Sequence, residues 1–480
     1  MNSTFDLKHS IGGQFIRDGH DLERRNPSDI SDLVARAPVA SPALVEEAVL
    51  SARSAQPEWA SLSPEIRGDV LDKTSQILME RREEWGQLLS REEGKTVAEG
   101  CAELARAARI FRFFGGEALR TIGHSLQSTR PGIDVETVRE AVGVFGLITP
   151  WNFPIAIPTW KAAPALAFGN AVVIKPSELS PTLAYLMGTA LSDAGLPDGV
   201  LNIIYGSGET GAALASNATI DGLSFTGSVA TGGKVAEAAV ANQTRIQCEM
   251  GGKNAMVVLD DADIDLAVTT IINAAFFSTG QKCTAASRII VTEGIYRAFL
   301  NAFSNAAAAL KVGHALDPTT QVGPLASAEQ LTKTQSYLKI ARDEGAKVLG
   351  GERPNTKFQG HYISPAILIE TSPEMRINQE EIFGPVCSVI RVKDYEEALS
   401  VANNTKFGLS AGIMTNSLKH ARHFRKAAKA GMVMVNLPTA GVDYHVPFGG
   451  TRASSLGPRE QGQSAIEFYT QIKTCYTLPA

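Results

Sequence analysis

The chain has 480 residues, enough for two or three domains with sizeable cores. Hydrophobic residues make up 44% and charged residues 20%, and the net charge of −5 gives no electrostatic reason to bind nucleic acid or an acidic membrane. Five scattered cysteines without a C-x-x-C pair favour neither a zinc site nor a disulfide framework, so we predict no metal and a cytoplasmic location. Residues 1–14 lack a long apolar run, and no stretch reaches the roughly 20 apolar residues that span a bilayer.

The first part of the chain reads as a short strand at residues 11–16 followed by three helices. Ser41 caps a helix entered through Pro42, and two further helices cover about 63–89 and 96–115. We interpret all three as scaffold. The third carries three arginines on one face, which is either solvated or lines a pocket. They are Arg106, Arg109 and Arg112.

Two polar segments read as exposed ribbon strands. Residues 121–141 alternate weakly around Pro131-Gly132, and Glu467 to Leu478 reads as a further strand. Because exposed strands at separate positions need a partner edge, we predict subunit pairing in a homodimer or homotetramer.

From residue 142, short apolar strands alternate with helices, which predicts an α/β, doubly wound fold with a parallel sheet. The strands are predicted at Val142–Ile148, Ala171–Ile174, Leu201–Tyr205 and Gly222–Phe225, and the helices near 158–168, 181–194, 210–216 and 231–240. Ligands of such sheets bind beyond the carboxyl ends of the strands, so the loops that follow the strands are the informative segments.

Two of these loops are rival phosphate sites. Gly206 to Gly211 forms a G-x-G-x-x-G after a strand, while Gly227-Ser228 opens a helix with a hydroxyl. The loop after the second predicted strand places Lys175 three residues before Glu178. That pair is either a surface ion pair or a set of hydrogen-bond partners for ribose hydroxyls.

Two side chains are candidates for chemistry. Cys283 lies among small and polar residues between an apolar segment and a strand, with Gly280 allowing a turn, so its thiol is either a nucleophile or merely accessible. Glu249 precedes Gly251-Gly252 and is either a solvated loop residue or a base in a partly dry cleft.

Several motifs together resemble the NAD(P)-dependent aldehyde dehydrogenase superfamily over essentially the whole chain. They are Pro150-Trp151-Asn152-Phe153-Pro154, Lys175-Pro176-Ser177-Glu178, Phe225-Thr226-Gly227-Ser228, Glu249-Met250-Gly251-Gly252-Lys253, Gly280-Gln281-Lys282-Cys283 and Glu381-Ile382-Phe383-Gly384-Pro385. The resemblance implies the aldehyde dehydrogenase fold, with two doubly wound domains and a β-ribbon for oligomerisation. The implied dinucleotide-binding domain is 1–120 with 142–251, the catalytic domain 252–450, and the ribbon 121–141 with 465–480.

The resemblance also implies catalytic roles. Cys283 would attack an aldehyde to give a thiohemiacetal, with Asn152 and the backbone N–H of Cys283 holding the oxyanion. Hydride loss would leave a thioester, and Glu249 would activate the water that hydrolyses it. Many relatives carry a further proton-relay glutamate after an Arg-Glu-x-Gly element; here Gln463 follows Arg459 to Gly462, so we expect a different relay.

The implied cofactor is NAD, with NADP as an alternative, because Glu178 would accept from a ribose 2′-hydroxyl and repel a 2′-phosphate. Ser228 would bind the pyrophosphate and Glu381 the nicotinamide ribose, whereas Gly208 would lie near the adenosine end. The full set of implied cofactor residues is Trp151, Lys175, Ser177, Glu178, Gly208, Gly227, Ser228, Glu381 and Phe383.

The expected partner is a small aldehyde bound in an aromatic tube. Its expected lining is Phe153, Trp160, Phe277 and Phe448. Residues 280–288 and 436–448 look like the α-ketoglutaric semialdehyde (2,5-dioxopentanoate) dehydrogenase branch, so we predict oxidation of that semialdehyde to 2-oxoglutarate. The candidates for binding its carboxylate are Arg109, Arg112, Lys282 and His445.

Three other functions stay open from the sequence. A broad aromatic or aliphatic aldehyde dehydrogenase would suit the aromatic lining. A non-catalytic structural relative is disfavoured by the joint presence of Cys283, Glu249 and Asn152. A CoA-acylating member is disfavoured because such members usually lack the glutamate found here at 249.

Overall fold

A computed structural model describes residues 3–479 of the chain. The strands are β1 Phe5–Asp6, β2 His9–Ile11, β3 Gln14–Ile16, β4 Asp21–Asn26, β5 Asp29–Pro38, β6 His124–Gln127, β7 Asp134–Ala141, β8 Val144–Ile148, β9 Ala171–Lys175, β10 Leu201–Ile203, β11 Gly222–Thr226, β12 Arg245–Glu249, β13 Asn254–Val258, β14 Ala286–Thr292, β15 Lys347–Gly350, β16 Ala366–Ile369, β17 Val386–Val392, β18 Ser410–Met414, β19 Met432–Val435, β20 Ser455–Leu456 and β21 Thr470–Thr477. The helices are α1 Pro42–Ser61, α2 Pro64–Glu80, α3 Arg82–Glu93, α4 Val97–Glu117, α5 Ala156–Ala167, α6 Thr182–Ala194, α7 Gly208–Ala215, α8 Val229–Ala241, α9 Ile264–Phe276, α10 Glu293–Ala308, α11 Ala328–Asp343, α12 Arg376–Gln379, α13 Tyr395–Asn403, α14 Leu418–Ala427 and α15 Ile466–Tyr469.

The helical scaffold begins where the sequence signals placed it. The Ser41 hydroxyl accepts from the Leu44 N–H at the start of α1, with Pro42 in the first turn. The single helix predicted over 63–89 is wrong, because the chain breaks at Arg81 into α2 and α3. The break lets both helices pack against α4.

The α/β alternation predicted from residue 142 is confirmed in an eight-stranded sheet with the order β20-β12-β11-β8-β9-β10-β2-β3. Its five central strands are parallel, and apolar side chains cover both faces: α2, α4, α5 and α6 on one, α1, α7 and α8 on the other. The chain runs from β8 outward to β10 and then returns to β11 on the other side of β8. The carboxyl ends of β8 and β11 therefore form the switch point where such sheets bind ligands.

A second sheet has seven strands in the order β15-β16-β17-β14-β13-β18-β19, parallel except for β15. Apolar clusters again cover both faces. After this sheet the chain returns to the first one through β20, whose Ser455 pairs with Glu249 of β12. The return brings residues 446–463 against the end of β12.

The ribbon is a three-stranded antiparallel sheet in the order β21-β7-β6. The last strand finds its partner in the same chain, because Thr470 to Thr477 pair with Ala141 to Asp134. β21 and β6 are the outer strands of this sheet, so the structure does not test whether another subunit pairs with them. Exposed apolar side chains remain on the ribbon and beside it, so subunit pairing stays a prediction. They are Ile122, Leu126, Ile472, Tyr476 and Leu478.

Residues 3–479 contain neither a candidate membrane helix nor a cluster of metal-binding side chains. No helix there has the length and apolar character to cross a membrane. The same residues hold no group of three or more His, Cys, Asp or Glu side chains arranged for a metal ion.

Candidate active site

Cys283 lies in a tight loop between α9 and β14 that is held by unusual backbone geometry. Ser278 and Thr279 have φ of 54°, and Gly280 has φ of 65°. A Cβ at Gly280 would lie 2.1 Å from the Gly384 carbonyl oxygen, so only glycine fits there. Left-handed non-glycine residues are strained, and such strain is concentrated at functional sites.

Helix α4 secures this loop from one side. At its N-terminus, Thr96 and Glu99 form a capping box, and the free oxygen of Glu99 accepts from the Ser278 N–H at 2.6 Å. One carboxylate therefore stabilises the helix end and the nucleophile loop together.

The Asn152 side chain meets the same loop from the eight-stranded sheet. It follows β8 and is buried, and its amide donates to the Gln281 carbonyl at 2.9 Å, which leaves one amide N–H for another acceptor. Behind it, the Lys95 ammonium contacts the Asn152 carbonyl at 2.5 Å and the Glu103 carboxylate at 2.7 Å. The Asn152 loop is therefore fixed by a buried ion pair.

Cys283 lines a cleft of about 150 Å³ that opens at the switch point of the eight-stranded sheet. The predicted residues that share this cleft are Trp151, Asn152, Gly227, Ser228, Glu381 and Phe383. Burial and the negative charges of Glu381 and Glu249 raise the pKa of the Cys283 thiol to about 12. At neutral pH the thiol therefore holds its proton in this state.

Glu249 ends β12 and is buried, so it is not the solvated loop residue that was the alternative. One oxygen accepts from the Ser455 hydroxyl at 2.7 Å, and the other has no partner within the described residues. Burial, followed by the nearby Glu460 charge, raises the pKa of Glu249 well above its ordinary value. A base in this setting accepts a proton readily.

The sequence predicted a different proton relay, because Gln463 stands where relatives carry a glutamate, and it did not single out Glu460. Gln463, where a relay glutamate was sought, is exposed beside the ribbon. Glu460 is instead the buried carboxylate near Glu249, paired with the buried Lys161 ammonium and accepting from Ser224 at 3.2 Å. The β20 return places it there, and spacing within the motif could not show this.

The cleft has the features that a dinucleotide needs. Ser228 caps the 13-residue helix α8, whose N-terminus faces the cleft and offers N–H groups to phosphate oxygens. Trp151 and Phe383 form an edge-to-face pair with centroids 5.5 Å apart, and Phe383 is held at φ of 63°. The Glu381 carboxylate accepts from the Gly252 N–H at 3.0 Å.

The other predicted cofactor residues lie around the carboxyl end of β9. Lys175 is buried, with its ammonium 3.6 Å from the exposed carboxylate of Glu178 and 3.4 Å from the Ser207 carbonyl. Gly208 begins α7 next to Ser207, and Ser177 is buried. The G-x-G-x-x-G segment therefore lies beside Lys175, whereas Gly227-Ser228 lies beside Cys283.

The predicted aromatic residues are only partly brought together. Trp160 and Phe448 have ring centroids 5.3 Å apart, and Phe448 packs in one apolar cluster with Cys283. Phe153 lies under the Lys95 ammonium, 4.0 Å from its ring centroid. Phe277 packs against the core of the second sheet.

The predicted cations for a substrate carboxylate are poorly placed. Arg109, Arg112 and His445 are exposed, and the Lys282 ammonium donates to the Asn273 carbonyl at 2.9 Å. Arg106, which the sequence did not single out from its helix, lies instead over the Trp160 ring.

Comparison with known proteins settles the family. The sequence profile described as "Aldehyde dehydrogenase family" matches residues 15–475. This chain belongs to the aldehyde dehydrogenase family. The predicted fold and the predicted enzyme class, an aldehyde dehydrogenase, are thereby confirmed.

Of three similar family members, two are named for the same semialdehyde and the third for betaine aldehyde. Alpha-ketoglutaric semialdehyde dehydrogenase from Bacillus subtilis is 42% identical, covering 98% of this chain and 97% of the relative. Alpha-ketoglutarate semialdehyde dehydrogenase from Haloferax volcanii is 41% identical, covering 98% of this chain and 99% of the relative. Betaine aldehyde dehydrogenase from Rhizobium leguminosarum bv. trifolii is 38% identical, covering 99% of this chain and 98% of the relative.

A solved structure agrees with the fold. The crystal structure of PnpE in complex with nicotinamide adenine dinucleotide superposes with a TM-score of 0.95 at 38% identity, covering 98% of this chain and 97% of that one.

Proposed function

We propose that this aldehyde dehydrogenase oxidises 2,5-dioxopentanoate to 2-oxoglutarate with NAD. The observation that carries the chemistry is the position of Cys283, which shares one cleft with Asn152 and the N-terminus of α8. The two semialdehyde dehydrogenases that are 42% and 41% identical support the substrate.

In the proposed first step, the Cys283 thiol gives its proton to a water molecule in the cleft, its sulfur attacks the aldehyde carbon, and the carbonyl oxygen takes up the negative charge. The remaining Asn152 amide N–H and the backbone N–H of Cys283 donate to that oxygen. Because the Lys95–Glu103 pair holds the Asn152 loop, the donor is in place before the charge develops.

NAD, when bound, supplies the hydride acceptor. Trp151 and Phe383 would hold the nicotinamide end with Glu381 on its ribose, and Ser228 would bind the pyrophosphate. Lys175 and the exposed Glu178 carboxylate would bind the adenosine ribose, with Ser177 and Gly208 beside them. The Glu178 charge disfavours a 2′-phosphate, which favours NAD over NADP.

In the proposed last step, Glu249 removes a proton from water as the water attacks the thioester carbon. The carbon–sulfur bond breaks, and the Cys283 thiolate leaves with the acyl group released as a carboxylate. Burial raises the pKa of Glu249 most, the Glu460 charge raises it further, and the Lys161 charge lowers it.

A kinetic panel tests this function. The purified enzyme is given 2,5-dioxopentanoate, betaine aldehyde, benzaldehyde and hexanal, each with NAD or NADP, and reduced cofactor is followed by absorbance. We expect the highest kcat/KM for 2,5-dioxopentanoate with NAD, and 2-oxoglutarate as the product. A higher kcat/KM for benzaldehyde or hexanal would refute the substrate assignment, and an acyl-CoA product would refute hydrolysis.

Betaine aldehyde is the second candidate substrate. One relative named for it is 38% identical. The Trp160–Phe448 pair could also hold a quaternary ammonium against its rings. A higher kcat/KM for betaine aldehyde than for 2,5-dioxopentanoate would establish this alternative.

A further inference from the structure

One face of α4 is turned toward the active site along its length. Glu99, Glu103 and Arg106 are spaced four and three residues apart, so their side chains share a face. Glu99 binds the nucleophile loop through the Ser278 N–H at 2.6 Å. The third residue of this face, Arg106, has no part in the proposed chemistry.

Arg106 lies at the end of the aromatic lining that begins at the thiol. Its guanidinium carbon is 5.9 Å from the Trp160 ring centroid, and the Trp160 ring is 5.3 Å from Phe448. Phe448 shares an apolar cluster with Cys283. Burial lowers the pKa of Arg106, and the negative charges of Glu103, Asp443 and a Cys283 thiolate offset this in part.

Several hydrogen-bond donors around Arg106 have no acceptor. The guanidinium has five N–H groups, and two bonds are formed within residues 3–479: one to the Val442 carbonyl and one to Gln461 Oε1 at 3.0 Å. The indole N–H of Trp160 and the amide nitrogen of Gln461 are buried without a partner in the same residues. These side chains are 5% and 0% exposed, so bulk water does not satisfy them.

A cation with two buried, unpartnered donors calls for an anion with several acceptors. We infer that Arg106, the Trp160 indole N–H and the Gln461 amide bind the carboxylate and neighbouring 2-oxo oxygen of the substrate. This inference rests on the proposed function, in which the aldehyde carries a 2-oxo acid at its far end. The aromatic rings hold the chain between that anion and Cys283.

The charges near Arg106 fit this assignment. Glu103 is bonded to Lys95 and to the backbone N–H groups of Ile155 and Ala156, so its charge is already compensated. Asp443 is exposed. Arg106 is therefore left to pair with a ligand.

The experiment compares Arg106→Met with the matched control Arg109→Met, on the exposed side of the same helix. Each variant is assayed with 2,5-dioxopentanoate, with succinic semialdehyde as a second carboxylated aldehyde, and with uncharged pentanal. For Arg106→Met we expect the ratio of kcat/KM for 2,5-dioxopentanoate to that for pentanal to fall at least about 30-fold, mainly through KM. Arg109→Met should keep the wild-type ratio, and Arg106→Lys should restore part of it.

Two further measurements separate binding from structure. Trp160→Phe keeps the ring and removes the indole N–H, so we expect about a 3- to 10-fold loss specific to the carboxylated aldehydes. Arg106→Met should also gain kcat/KM for betaine aldehyde, because a cation that repels the ammonium is gone. An equal loss for all aldehydes, or an unchanged ratio in Arg106→Met, would overturn the inference.

Failure of the proposed function would look different. In that case wild-type enzyme would oxidise 2,5-dioxopentanoate no better than pentanal. If succinic semialdehyde then kept its dependence on Arg106, the carboxylate site would stand without the proposed substrate. Loss of that dependence as well would reject the site.

Discussion

The two sides of Cys283 are built in different ways. On the proposed cofactor side, most residues come from short loops after strands of the eight-stranded sheet, as at Gly227 and Ser228, and Glu381 and Phe383 are added from the segment before β17. On the proposed substrate side, the residues are single side chains from distant segments, as with Arg106 and Gln461, which are 355 residues apart and bonded to each other. The residues of the cofactor side therefore lie mostly in contiguous sequence motifs, whereas those of the substrate side come together only when the chain folds.

This difference predicts which variants slow the chemical steps and which change only cofactor binding or only substrate binding. Cys283→Ser, at the boundary, should give the largest loss, with kcat lower by about 10⁴-fold or more, because an alcohol is a poorer nucleophile and leaving group. NAD affinity, measured by fluorescence titration, should change less than threefold. A large loss of NAD affinity would show that the two sides are not separable.

Breaking the buried Lys95–Glu103 ion pair behind Asn152 should have the next largest effect on activity and stability. Lys95→Met leaves the Glu103 carboxylate buried and uncompensated, so we expect the free energy of unfolding in urea to fall by about 3–5 kcal/mol, with a loss of kcat. The double variant Lys95→Met/Glu103→Gln should recover part of the lost free energy of unfolding, because no buried charge is then left uncompensated. Lys339→Met, at the exposed pair with Asp343, is the control and should cost less than about 1 kcal/mol.

Asn152→Ala tests whether a cofactor-side loop serves the chemistry. Removing one oxyanion donor should lower kcat by about 10²- to 10³-fold, because the charge on the substrate oxygen loses a preorganised N–H. Steady-state kinetics with saturating NAD measure it. A kcat within tenfold of wild type would exclude Asn152 from this role.

The pH dependence of hydrolysis should show the smallest effect and a definite sign. Glu249 acts only when deprotonated, so acyl-enzyme hydrolysis is gained as pH rises through its raised pKa. Glu460→Gln removes a negative neighbour and should move that limb to lower pH, whereas Lys161→Gln removes a positive one and should move it to higher pH. Single-turnover hydrolysis across pH measures both, and shifts in the same direction would contradict the electrostatic coupling.

The sequence predicted the features that local rules determine. Alternating apolar strands and helices from residue 142, the Ser41 cap and the motif loops around Asn152 and Gly227 follow from period, capping and turn chemistry. Gly280 was expected to turn, and its left-handed φ agrees.

The features that were missed depend on tertiary contacts. Arg81 breaks a helix because two segments pack on α4, and Ser278 and Thr279 are left-handed because Glu99 and Gly384 hold the loop. Glu460 became the second carboxylate through the return of β20 to β12, which no spacing encodes. Arg106 could not be separated from Arg109 and Arg112 by periodicity alone, since only the packed helix shows which faces the site.

The protonated state of the Cys283 thiol affects how readily this cysteine is oxidised. Burial raises the pKa of this thiol, so the protonated form is favoured at neutral pH. Peroxide and alkylating reagents attack the thiolate rather than the thiol, so the resting sulfur should survive oxidative stress that would inactivate an ionised cysteine. The same burial that delays the nucleophile thus shields it from irreversible damage between turnovers.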